Sequence, residues 1–127
     1  MIQSNKVFSS YSVNKLDEAK EFYTRVLGLG AQENEMGILD LELPGGQSLI
    51  IYPKDDHRPA SFTILNFVVG NIDKAVDGLA AKGVVFERYD GFDHDEKGIA
   101  RSNGNGPSIA WFRDPAGNIL ALMETWE

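Results

Sequence analysis

The sequence predicts an α+β fold in which one small module is used twice, and three observations predict it. A heptapeptide recurs, Val13-Asn14-Lys15-Leu16-Asp17-Glu18-Ala19 near the start and Val69-Gly70-Asn71-Ile72-Asp73-Lys74-Ala75 past the middle, with Val, Leu or Ile, Asp and Ala in the same places. A turn sequence follows each copy, Pro44-Gly45-Gly46-Gln47 and then Pro115-Ala116-Gly117-Asn118. Alternating apolar patterns, the period of a half-buried strand, precede each heptapeptide. Two copies are too few for a solenoid, so the repeat reads as a duplicated unit whose apolar face cannot be buried by one copy alone.

Each copy reads strand, helix, then further strands. Val7, Ser9, Tyr11 and Val13 alternate with Phe8, Ser10 and Ser12, which suits a first strand. Leu16, Ala19, Tyr23, Val26 and Leu27 follow at helical spacing, and Gly28 is the expected C-terminal stop. Strands are expected at about 30–36, 37–43 and 48–53. A linker of roughly residues 54–60, punctuated by Pro53 and Pro59, separates module one (1–55) from module two (60–127) within a single domain of 127 residues. The second copy opens with an alternating strand, Phe62 to Val69. Ile72, Ala75, Val76 and Leu79 make its helix, ended by Gly83. Val84 to Tyr89 reads as a strand, and Ser108 to Arg113 pairs with Asn118 to Glu124. Between them residues 91–107 are polar and glycine-rich with no clear period, and a connection of that length is expected to be functional or mobile.

Composition narrows the function. Hydrophobic residues are 43% and charged residues 24%, the balance of an ordinary globular chain. The net charge of −7 argues against nucleic acid and against an anionic membrane surface as partners. With no cysteine there is no disulfide, thiolate metal site or cysteine nucleophile. Residues 1–10 hold one basic residue and no apolar run, and no stretch approaches the ~20 apolar residues of a membrane span, so a cytoplasmic location is expected.

The order of elements, the V-x-x-[LI]-D-x-A opening of each helix, Phe22-Tyr23 and Leu27-Gly28-Leu29 closing the first, and Asp114-Pro115-Ala116-Gly117-Asn118 near the end resemble the vicinal oxygen chelate superfamily. This is the fold of glyoxalase I, bleomycin-resistance proteins and extradiol dioxygenases, and the resemblance covers nearly the whole chain. It implies two βαβββ modules, each a curved mixed four-stranded sheet with a helix on its outer face, forming a cup. It also implies a homodimer. In metal-dependent members four inward-pointing His, Glu or Gln residues hold a divalent ion. Carried over by position, those places fall on Phe8, Ile50, Ile64 and Ala121. No such side chain binds a hard or borderline cation, so neither a metal nor another cofactor is expected, nor the chemistry in which an ion polarises substrate oxygens.

Turn geometry assigns the strand faces. A three-residue loop with glycine at the left-handed position sets Asp114 against Asn118, hence Trp111 against Ala121 and Arg113 against Ile119. The same register sets Asp40 against Ile50 and Glu42 against Ser48. Leu39, Leu41, Leu49 and Ile51 then share one fully aliphatic face, as do Ala110, Phe112, Leu120 and Leu122, and these are expected beneath the helices. The opposite face is mixed. Its candidate ligand-binding residues are Phe8, Ser10, Asp40, Ile50, Tyr52, Ile64, Asn66, Trp111 and Ala121, with Asp40 and His94 as candidate catalytic groups. An apolar floor with a few convergent polar groups is the usual make-up of a small-molecule site. Trp111 could stack on a flat ligand, Asp40 and Glu42 could anchor a cation, and Arg113 could hold a carboxylate. Packing alone also accounts for a strand tryptophan, and solvation alone for charges at hairpin ends. His94 lies in the glycine-rich connection, where it could be delivered as an acid or base or simply face solvent.

The leading expectation is a metal-independent protein that binds or sequesters an aromatic or cationic small molecule. The alternative is a glyoxalase-, isomerase- or dioxygenase-like enzyme in which Asp40 or His94 replaces metal chemistry. A third reading is an interaction module whose cup is filled by its own side chains.

Overall fold

The computed structural model describes residues 1–102, 104 and 106–124. The chain divides into two compact units, Met1–Pro59 and Ala60–Glu127. The first contains strand β1 (Ser9–Val13), helix α1 (Leu16–Glu21) running into a π-helical turn (Phe22–Val26), and strands β2 (Gly30–Glu33), β3 (Leu39–Glu42) and β4 (Ser48–Pro53). The second contains β5 (Thr63–Val69), α2 (Ile72–Ala80), β6 (Phe86–Glu87), β7 (Ile109–Arg113) and β8 (Ile119–Glu124).

Each unit forms its own mixed four-stranded sheet, in the orders β1-β4-β3-β2 and β5-β8-β7-β6. The first strand of each unit lies parallel to the last, and the remaining neighbours are antiparallel. Parallel neighbours need a long crossover, which here contains the helix. The hairpin registers follow from the turns. Asp114 N–H donates to the Asn118 carbonyl at 2.9 Å and Gly117 N–H to the Asp114 carbonyl at 3.0 Å, with Gly117 at φ 87. Trp111 therefore faces Ala121 and Arg113 faces Ile119. In the other unit Asp40 faces Ile50 and Glu42 faces Ser48. Asp114 is buried, and its carboxylate accepts from the backbone N–H groups of Ala116 and Asn118 and from the Asn118 side-chain amide at 2.8–3.0 Å. Those bonds are the physical content of the Asp-Pro-x-Gly-Asn sequence, since a buried carboxylate needs donors.

The helices end and begin for local reasons. In the first unit Leu27 N–H reaches back to the Phe22 carbonyl, a wider turn than an α-helix makes, and Gly28 at φ 73 closes it. Tyr23 in that turn is buried and its hydroxyl bonds Tyr11 at 2.7 Å. In the second unit Asn71 caps α2 by accepting from Lys74 N–H, and Glu124 at the end of β8 accepts from Ile72 N–H at 2.9 Å.

The cores match the aliphatic faces expected. Val13, Ala19, Tyr23, Leu39, Leu41, Leu49 and Ile51 are buried in the first unit, and Ile72, Val76, Ile99, Ala110, Phe112, Leu120 and Leu122 in the second. Each large aliphatic side chain so buried is worth about 1.5–3 kcal/mol.

Several boundaries differ from the sequence expectation. β1 starts at Ser9, which leaves Phe8 outside the ladder and 54% exposed. β2 stops at Glu33 because the Asn34 side chain accepts from Met36 and Ile38 N–H and turns the chain, with Gly37 at φ 73. The strand expected over 84–89 shortens to Phe86–Glu87.

The connection expected to be irregular is built. The chain leaves the sheet after Glu87 and returns at Ala100, which exchanges both backbone bonds with Ile109 at 2.8 and 3.1 Å. Asp95 closes an inner turn by accepting from Lys97 and Ile99 N–H at 2.9 Å, and Ile99 enters the core. Arg101 then ties the returning chain to Asp95 and to Asp73 on α2, and Lys97 pairs with Asp77 on the same helix.

Candidate functional site

The sheet face opposite each helix is where the candidate residues gather, and the two units line it differently. Strand register in the first unit makes a cross-sheet row Gln32–Asp40–Ile50–Ser10. The matching row in the second is Glu87–Trp111–Ala121–Asn66. The duplication thus puts a carboxylate in one sheet where the other has an indole.

In the first unit Asp40 and Ser10 are exposed and Ile50 is half-buried. Among the described residues no hydrogen bond or ion pair engages the Asp40 carboxylate. Tyr52 is half-buried beside Ser12 across the β1–β4 pair, and the Ser12 hydroxyl lies 2.6 Å from His57 Nδ1.

In the second unit the register shifts between Thr63 and Leu65, so Ile64 falls in a bulge and Thr63 pairs with Ile119. Thr63 therefore takes the place opposite Ile119. Its hydroxyl accepts from Trp111 Nε1–H at 3.1 Å, which fixes the indole. Asn66 is exposed, and Ala121 beneath the indole is fully buried.

Three rings surround Trp111. Phe92 lies 5.0 Å away between centroids, Tyr89 5.3 Å edge-on and His94 6.0 Å edge-on. His94 also meets Phe92 at 6.3 Å. Such pairs add about 0.5–1.5 kcal/mol each beyond area burial. Both nitrogens of His94 are engaged. Nε2 accepts from Tyr89 N–H at 3.0 Å, so the ring proton sits on Nδ1 and donates to the Gly98 carbonyl at 2.7 Å. His94 thus staples the two sides of the 88–99 excursion.

At the rim of this cluster Arg113 pairs with Glu87 at 2.6 Å and donates to the Gly117 carbonyl at 3.1 Å. That engagement, foremost the Glu87 hydrogen bond, raises the guanidinium pKa further. Burial pushes the Tyr89 phenol up and Glu87 adds to the effect, while Arg113 opposes it. The Tyr89 hydroxyl is shut off from solvent, and among the described residues it has no hydrogen-bond partner. Sequence reasoning missed Thr63, Tyr89 and Phe92. Continuing the alternation from Glu87 would have put Tyr89 on the Trp111 face, and Phe92 is the one aromatic in an otherwise polar tip.

The superfamily's divalent ion does not fit these residues. Ile50 and Ala121 carry hydrocarbon only, Phe8 is a phenyl group, and the bulge replaces Ile64 by a neutral threonine hydroxyl already accepting from Trp111. Among the described residues no three His, Cys, Asp or Glu side chains come together as a ligand set. Nor is any described helix long and apolar enough to cross a membrane.

Comparison with known proteins places this arrangement in a family. Residues 7–122 match the Glyoxalase/Bleomycin resistance protein/Dioxygenase superfamily. No curated protein matches the sequence. The fold is similar to that of the fosfomycin resistance protein of Listeria monocytogenes, at 12% identity and TM-score 0.74 over 98% of this chain and 95% of that one. It is similar to a superfamily member from Sphaerobacter thermophilus, at 23% identity and TM-score 0.70 over 94% and 97%. An antibiotic binding protein from a Streptomyces species, TnmS3, shares 21% identity and TM-score 0.68 over 97% and 98%. On the family match over residues 7–122 and the two-sheet architecture, the chain belongs to the glyoxalase/bleomycin resistance protein/dioxygenase superfamily.

Proposed function

We propose that this protein is a metal-independent member of its superfamily that binds or sequesters a small aromatic molecule on the helix-distal face of the sheet that carries Trp111, as a cytoplasmic homodimer. The observation that carries the reading is the anchored indole of Trp111, half-exposed and held by Thr63 in a ring of aromatic side chains. An aromatic surface with its rotamer fixed in advance binds a flat ligand at a low entropic cost. The hydrocarbon at positions 50 and 121 supports the absence of a metal, because those side chains offer no donor atom. Within the second unit Asn66 and Ala121 extend the proposed surface around Trp111, with Ile64 at its margin; the first unit's own helix-distal face offers Asp40, Ser10, Ile50 and Tyr52, with Phe8 at its margin. That an antibiotic binding protein shares the fold is consistent with sequestration.

Fluorescence titration tests it. A Trp126→Phe variant leaves Trp111 as the single tryptophan. Neutral, cationic and anionic aromatic compounds are added to that protein while its emission is followed. Saturable quenching by one class, abolished by Trp111→Leu, is the expected result, and no saturable change with any class refutes the reading. Elemental analysis of protein purified without chelator should find no stoichiometric transition metal. Light scattering should give twice the 14.0 kDa chain mass.

A second reading rests on Asp40. Its unengaged carboxylate, in a row with Ile50 and Ser10, has the freedom a general base needs. In that reading the protein is a glyoxalase-, isomerase- or dioxygenase-like enzyme, with His94 as the other candidate group. Asp40→Asn should then abolish any turnover found for a bound compound. Retained turnover removes Asp40 from the chemistry.

A further inference from the structure

The second unit holds two features that the proposed binding role does not yet use. One is the Tyr89 hydroxyl, buried and without a partner among the described residues. Buried hydroxyls are normally hydrogen-bonded, so its presence calls for an acceptor that the described residues do not provide. The other is Phe92. It is 52% exposed, yet its ring rests on Trp111 at 5.0 Å and 59°. Its ring thus covers the indole from the solvent side while half of its own surface stays in water.

The tip that presents Phe92 is the least attached part of the excursion. Residues 90–93 are all exposed, and Phe92 N–H to the Tyr89 carbonyl, at 3.4 Å, is the backbone bond that holds it. Gly91, at φ 92, supplies the pivot. On either side the chain is firm. His94 bonds Tyr89 N–H and the Gly98 carbonyl, and Arg88 donates to the carbonyls of Asp95 and Glu96 at 2.9 and 3.1 Å. A rotation about Gly91 that displaced Phe92 would leave the hydrogen bonds of Arg88 and His94 intact.

We propose that Phe92 occupies the ligand's place on Trp111, and that the ligand is a flat aromatic compound bearing a hydrogen-bond acceptor oxygen, such as an aryl ketone or quinone, which displaces Phe92 and accepts from the Tyr89 hydroxyl. This rests on the binding role proposed above and specifies its ligand. A ring 5.0 Å from the indole leaves no gap for a second ring between them, so the two compete rather than sandwich. A phenol ordinarily titrates near 10.0, and burial first and Glu87 second raise Tyr89 further, so it is a donor at neutral pH in any case. An acceptor oxygen supplies the one bond the hydroxyl lacks. A ligand of the same shape without the oxygen leaves it unpaired and binds more weakly by about tenfold.

The test uses full-length protein with Trp126→Phe and two probes of matched shape, 2-acetylnaphthalene and 2-isopropylnaphthalene. Trp111 emission is followed for the parent, Phe92→Ala and Tyr89→Phe. Removing the competing ring should tighten the binding of both probes several-fold. The parent should prefer the acetyl probe about tenfold, and Tyr89→Phe should erase that preference while still binding both. Weaker binding by Phe92→Ala would make Phe92 a clamp and overturn the proposal. A preference surviving Tyr89→Phe would overturn the donor assignment. Either result leaves the binding role standing, and no binding of either probe by parent or Phe92→Ala overturns the ligand assignment while the wider titration above decides the binding role. Near-UV circular dichroism of each variant confirms that the aromatic cluster is folded.

Discussion

Replacing His94 with alanine should destabilise the second unit markedly, because the imidazole is a bridge rather than a pendant group. Two hydrogen bonds are lost, from Tyr89 N–H at 3.0 Å and to the Gly98 carbonyl at 2.7 Å. Each is worth about 1 kcal/mol net. Gly98 is buried, so its carbonyl is poorly placed to recover the bond from water. The edge contacts with Phe92 and Trp111 add roughly 0.5–1 kcal/mol. The sum is about 2–3 kcal/mol, a large share of the 5–15 kcal/mol that stabilises an ordinary domain. Urea unfolding followed by far-UV circular dichroism should show a midpoint lower by about 1–2 M at unchanged slope. A loss below about 0.5 kcal/mol, with the near-UV aromatic spectrum unaltered, would refute the bridging argument and return His94 to the status of a free loop side chain.

Three further outcomes follow from the same structure. Asp73 is held to a pKa of about 2, from the ordinary 3.8, first by its hydrogen bond to Arg101. A depressed carboxylate contributes fully above about pH 4 and loses its contribution as pH falls toward 2. The carboxyl carbon resonance of Asp73 should thus titrate near 2, and Arg101→Ala should move its midpoint up toward 3.8. Asp114→Ala should cost about 2–4 kcal/mol in chemical denaturation, since two backbone N–H groups and the Asn118 amide of a buried turn lose a charged acceptor. Gly98→Ala should cost about 2–3 kcal/mol in thermal or urea unfolding, because a Cβ there meets Phe86 Cβ at 3.0 Å and the backbone is at φ 89.

How far the site was legible depended on whether its cause was local. The Trp111–Ala121 and Asp40–Ile50 pairings could be counted outward from two turns, because hairpin register depends on turn geometry within a few residues. The aliphatic faces followed from alternation. The bulge at Ile64 did not, since nothing in Thr63-Ile64-Leu65 marks it and the shift exists only against β8. For the same reason the partner of the Trp111 indole was missed. Residues 91–107 read as a formless polar stretch because the order within them comes from contacts remote in sequence, Ala100 to Ile109 and Arg101 to Asp73.

The sequence by itself determined the duplicated strand–helix–strand plan, the paired registers, the buried faces and the hydrocarbon at positions 50 and 121, because each depends on residue type and short-range periodicity. Tertiary structure alone decided that Trp111 is braced by Thr63, that His94 spends both nitrogens on its own loop, that Phe92 rests on the indole, and that the Tyr89 hydroxyl is buried with no partner among the described residues. Those contacts join residues separated by a loop or by most of a unit, and only the folded sheet brings them within bonding distance.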